Sequence, residues 1–99
     1  ASEDYPLELM KKLAPMLAVY GREYLKKLVL ALEQRNVDQL NNLNHKIFPH
    51  IKLFKFNTSL SFINSLKEEL NTNKIDWFLI KHIVDELENQ LLSDLNSLG

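Results

Sequence analysis

Apolar residues recur at spacings of three and four along nearly the whole chain, the signature of helices that each bury one face. Leu7, Met10, Leu13, Ala14 and Leu17 form the first stripe, on a helix that should begin near Pro6 with Asp4 or Ser2 as its cap. Pro15 lacks a backbone donor and predicts a kink or break, and Gly21 marks a boundary. A second helix follows from about Arg22 to Arg35, with Leu25, Leu28, Val29 and Leu32 inward and Lys26, Lys27, Glu33 and Gln34 toward water. Asn36 is its predicted stop, because Asn tolerates the left-handed conformation. A third helix runs from Val37 to about Phe54 or Phe56, with Asp38 as its cap or in its first turn. Asn57, Thr58 and Ser59 punctuate the chain before a fourth helix striped by Leu60, Ile63, Leu66 and Leu70, with Phe62 beside them. After the polar loop Asn71-Thr72-Asn73-Lys74, the last helix starts near Ile75 or Asp76. It carries Ile75, Leu79, Ile83, Leu87, Leu91, Leu95 and Leu98 on one face.

Composition narrows this to one class. The chain has only two glycines, Gly21 and Gly99, and no Asn-Gly or Asp-Gly pair to turn a hairpin. The expected fold is all-α: an up-down four-helix bundle with an additional short N-terminal helix, in a single domain spanning 1–99. With 45% apolar residues in 99, one compact core is affordable without staples. The absence of cysteine rules out disulfides and thiolate metal sites and suits a reducing, cytoplasmic setting. A net charge of −1 supplies no field that draws the protein to nucleic acid or to an anionic membrane. No apolar run approaches the roughly 18 residues of a membrane span.

The candidate chemistry lies on the third helix, VDQLNNLNHKIFPHIKLFKF, which holds His45 and His50. At about 100° per residue, Leu40, Leu43, Ile47, Ile51 and Phe54 gather on the side opposite His45 and form the buried face. Asp38, Asn41, Pro49 and Lys52 share the face of His45, with Asn42 and Phe48 on its flanks. His45 is therefore expected to point to solvent, while His50 and, on the last helix, His82 are expected at the edge of the core. A neutral surface imidazole is a good nucleophile toward phosphoryl groups and forms a labile N–P bond. The bound group would be stabilised by a nearby cation. Lys52, two turns on, leans back toward His45, whereas Lys46 could reach it only from the side. Phe48 would offer a docking partner an apolar surface.

The run LKKLVLALEQRNVDQLNNLNHKIF resembles a histidine-containing phosphotransfer domain of two-component phosphorelays. Leu28, Ala31, Leu32, Asn36, Asp38, Leu43, His45 and Ile47 stand in the matching places, and the likeness extends from about Leu7 to Leu98. The chain departs from the usual pattern at three positions: Asn44 replaces an alanine, Phe48 a basic residue and Pro49 a glycine. Pro49 cannot donate to the carbonyl of His45 and invites a bend.

The resemblance implies a phosphoryl carrier with no catalytic activity of its own and no cofactor. His45 would accept a phosphoryl group from the aspartate of one receiver domain and pass it to another, with Mg²⁺ belonging to the receiver. Lys52 would stabilise the group, and Asn41, Asn42, Lys46, Phe48 and Pro49 would meet the partner. It further implies a cytoplasmic monomer without nucleic-acid or direct membrane contact, either free or as the C-terminal domain of a hybrid sensor kinase. The missing basic residue at Phe48 opens an alternative, a degenerate adaptor that binds receivers without phosphotransfer.

Other classes are weaker. A histidine-kinase dimerisation helix has an acidic residue directly after its histidine, where this chain has Lys46. A nucleic-acid surface built on Lys46, Lys52 and Lys55 lacks a basic surplus. Metal binding lacks paired histidines at i, i+4, and nothing places a serine and an acid beside a histidine for hydrolysis.

Overall fold

The computed structural model describes residues 7–98. They form four helices and no strand: α1 Leu7–Glu33, α2 Val37–Leu53, α3 Asn57–Leu70 and α4 Trp77–Asn96. The expected start at Pro6, capped by Asp4 or Ser2, lies outside the described residues. α1 packs against α2 and α4, and α3 packs against the same two helices. Leu28, Leu40, Ile47, Ile51, Leu66, Ile80, Leu87 and Leu91 lie at the centre of one core, fully shielded from solvent.

Among the described residues there is no separate short N-terminal helix: residues 7–33 form one continuous helix through both Pro15 and Gly21. Pro15 is exposed, and its missing N–H removes one backbone bond without unravelling the neighbouring turns. Gly21 is buried, and it serves close approach of helices. A Cβ at this position would stand 2.7 Å from Cδ1 of Leu95 on α4. The absent side chain lets α1 and α4 come together, so the residue that looked like a boundary is a packing site.

Two further boundaries differ in detail. Arg35, at φ 49°, takes the left-handed conformation expected of Asn36. Asn36 is extended and caps α2, its side chain accepting from the backbone N–H of Gln39 at 3.1 Å. Asp38 sits in the first turn of α2. Asn57, Thr58 and Ser59 open α3 rather than standing before it, and Ser59 is buried, donating to Oδ2 of Asp94 at 2.6 Å. Asp76 caps α4, which therefore begins where expected, and accepts from the N–H groups of both Phe78 and Leu79 at 3.1 Å. A cap of this kind contributes about 1 kcal/mol.

The periodic stripes locate most of the core, but they omit Tyr24, Ala31, Ile80 and Val84, all of which are buried. Tyr24 has the largest consequence. It is 2% exposed, and its hydroxyl donates to Oδ1 of Asn44 at 2.7 Å. Burial, with a smaller contribution from the neighbouring Tyr20, pushes the Tyr24 phenol well above the usual tyrosine range. In the unfolded chain the phenol ionises near its ordinary value of about 10, whereas the native state resists ionisation. The stability tied to neutral Tyr24 is therefore complete below about pH 10 and is lost as pH rises beyond it. The difference in unfolding free energy between the wild type and Tyr24→Phe should narrow above that pH, as measured by urea titrations across the alkaline range.

Candidate functional site

α2 is held in one rotational setting by the buried face predicted for it. Leu40, Leu43, Ile47 and Ile51 are buried, and Phe54, just past the helix end, is partly so. Asn44 adds a directional constraint. It is 4% exposed and tied to Tyr24 on α1, which fixes the roll of α2 about its axis. His45 is one residue further, about 100° round, and it emerges at the surface as expected.

There it lines a partly open cleft of about 510 Å³ between α2 and α3. Asn41, Asn44, His45 and Phe48 form the α2 wall. Ile63, Asn64 and Lys67 from α3, with Asn71 just beyond it, form the other. Phe48 is half-buried against the core, so it forms part of the wall rather than standing free as an exposed docking residue. Lys67 is exposed and supplies the cation at this cleft.

The sequence-predicted residues thus divide. Asn41, His45 and Phe48 come together at the cleft. Asn42, Lys46, Pro49 and Lys52 are exposed on α2 but do not line it. Lys67 and Asn64 went unnoticed in the sequence. Their spacing from Ile63 places them on the edge of the α3 stripe next to α2, but that geometry requires knowing which helices are neighbours.

All three histidines are exposed, so the core-edge placement predicted for His50 and His82 does not hold. The ring of His50 meets Tyr20 edge-on, with centroids 5.2 Å apart. This contact holds it on the α1 side of α2, away from the α3 side that carries the cleft. His82 lies on α4, beyond the cleft-forming pair of helices. Exposure alone cannot single out His45; the cleft does.

The Nδ2 of Asn44 is buried and has no hydrogen-bond partner. With Oδ1 occupied by Tyr24, the amide is half-satisfied at the base of the site. Among the described residues, no group of three or more His, Cys, Asp or Glu is placed to hold a metal ion. No described helix is long and apolar enough to cross a membrane. Comparison of the chain with family models, curated proteins and solved structures finds no match.

Proposed function

We propose that the chain is a phosphorelay intermediate in which His45 carries the phosphoryl group. The supporting observation is the placement of His45, exposed at the middle of a helix and opening on a cleft that Lys67 and four asparagines also line. In the transfer step, a ring nitrogen of neutral His45 attacks the phosphorus of a receiver-domain aspartyl phosphate. The N–P bond forms, the P–O bond to the aspartate breaks, the carboxylate leaves with the electron pair, and the phosphorylated ring gives the proton on its other nitrogen to water. The reverse sequence delivers the group to a second receiver. Such chemistry depends on positioning and charge, which the receiver's Mg²⁺ and the carrier's cation supply. Lys67 is the stronger candidate for that cation, and Lys52 the weaker.

The fold reading behind this is an up-down four-helix bundle, supported by the ring of helix contacts and the short connections 34–36, 54–56 and 71–76. The partners would be receiver domains of response regulators or hybrid kinases, and the setting cytoplasmic. The chain acts as a carrier, without independent catalysis.

Incubation with a phosphorylated receiver domain should place an acid-labile, base-stable label on the wild type and none on His45→Gln. Label persisting in His45→Gln would remove His45 from the role. Binding of receivers with no label on the wild type would favour the adaptor reading, for which the half-buried Phe48 in place of a basic residue is the supporting observation.

A further inference from the structure

The outer face of α1 carries a second pattern that the core does not use. Leu9, Lys12, Met16, Val19, Glu23, Lys26 and Leu30 are spaced alternately by three and four residues, and every one is exposed. This is a heptad spacing over three repeats, apolar at Leu9, Met16, Val19 and Leu30 and charged at Lys12, Glu23 and Lys26. Taking 100° per residue, its centre lies about 140° around the helix from the buried residues Leu17, Gly21, Tyr24, Leu25, Leu28 and Ala31. Met16 and Val19, at its middle, are 66% and 67% exposed, and Leu30 is 54% exposed.

The geometry points to a second copy of this chain as the occupant: we propose that two α1 helices pair antiparallel along this seam. In an antiparallel two-stranded coil, each residue at one core position faces a residue at the other core position of its partner. Aligned on a two-fold axis midway between Met16 and Val19, six of the seven positions face one another, and Leu30 lies beyond the paired stretch. Met16 faces Val19 of the second copy, twice, and Lys12 faces its Glu23, twice. Leu9 faces Lys26, whose methylene stem covers the leucine while its ammonium reaches water. A parallel pair would instead oppose Lys12 to Lys12, Glu23 to Glu23 and Lys26 to Lys26. Three like-charge layers disfavour that arrangement, so the charges select the antiparallel one. Because the seam faces away from the core, the rest of each protomer lies on the far side of the pair. Such an interface is isologous and closes at two copies.

A pair of single helices buries little area, so the dimer is a weak one, with a dissociation constant between about 1 μM and about 1 mM. Sedimentation equilibrium of the whole chain across that range should show a monomer–dimer transition. Val19→Lys should leave only monomer, with unchanged helix content. Lys12→Glu, which sets one glutamate against Glu23 in each of the two matching layers, should weaken the dimer roughly tenfold or more. Lys12→Glu combined with Glu23→Lys should restore it. Wild type that stays monomeric at the highest concentration would overturn the proposal. So would a dimer indifferent to Val19→Lys, or a loss in Lys12→Glu that the double exchange does not recover.

Discussion

Lys67→Ala is expected to slow phosphoryl transfer to His45 by roughly tenfold to a hundredfold, less than the roughly hundredfold to thousandfold cost of removing a preorganised donor because Lys67 is exposed. On the proposed reading the phosphoryl group would bring added negative charge to the cleft on reaching the imidazole, and Lys67 lines that cleft from α3. Lys67 is exposed, so truncation removes little packing, and the midpoint of thermal unfolding should stay close to that of the wild type. Lys52→Ala should have a smaller effect, because Lys52 lies two turns along α2 and does not line the cleft. Quench-flow measurement of transfer from a phosphorylated receiver separates the two. A large effect at Lys52 with none at Lys67 would move the stabilising charge back to α2.

The second large effect concerns stability. Tyr24→Phe should cost about 1–3 kcal/mol, although it removes a single oxygen. Oδ1 of Asn44 would lose its donor, and Nδ2 is already without a partner, so a buried amide would be left with neither group satisfied. Adding Asn44→Ala removes the orphaned groups along with the amide. The double variant should therefore be more stable than the sum of the two single losses predicts. A coupling of roughly 0.5–3 kcal/mol in a double-mutant cycle by urea unfolding is the expected sign of this network. Additive losses would mean that the 2.7 Å contact carries no net energy. The pair also holds the roll of α2, so Tyr24→Phe should disturb His45 more than an equally destabilising substitution on α4 would.

The sequence made the helical class, the start of the last helix near Asp76 and the outward turn of His45 legible because each depends on local periodicity or a single side chain. What it hid depends on which helices are neighbours. Gly21 looks like a break until Leu95 is seen occupying the space of its missing side chain. Tyr24 and Asn44 lie twenty residues apart, and neither announces the other. His50 and His82 sit close to apolar stripes by angle, yet both side chains reach solvent, because a stripe's edge is where core and surface meet. Lys67 could be assigned to the site only after α3 was placed against α2.

The stretch of α2 that resembles phosphotransfer domains carries His45, and the cleft gives His45 a surrounding that His50 and His82 lack. The exposure of all three also supplies a direct test. The imidazole resonances of His45, His50 and His82 can be followed by NMR while a phosphorylated receiver domain is added. The His45 ring alone should acquire phosphorus coupling, and the resonances of the other two rings should stay unchanged. Phosphorus coupling at His50 or His82, with the His45 ring unaltered, would contradict the role of His45.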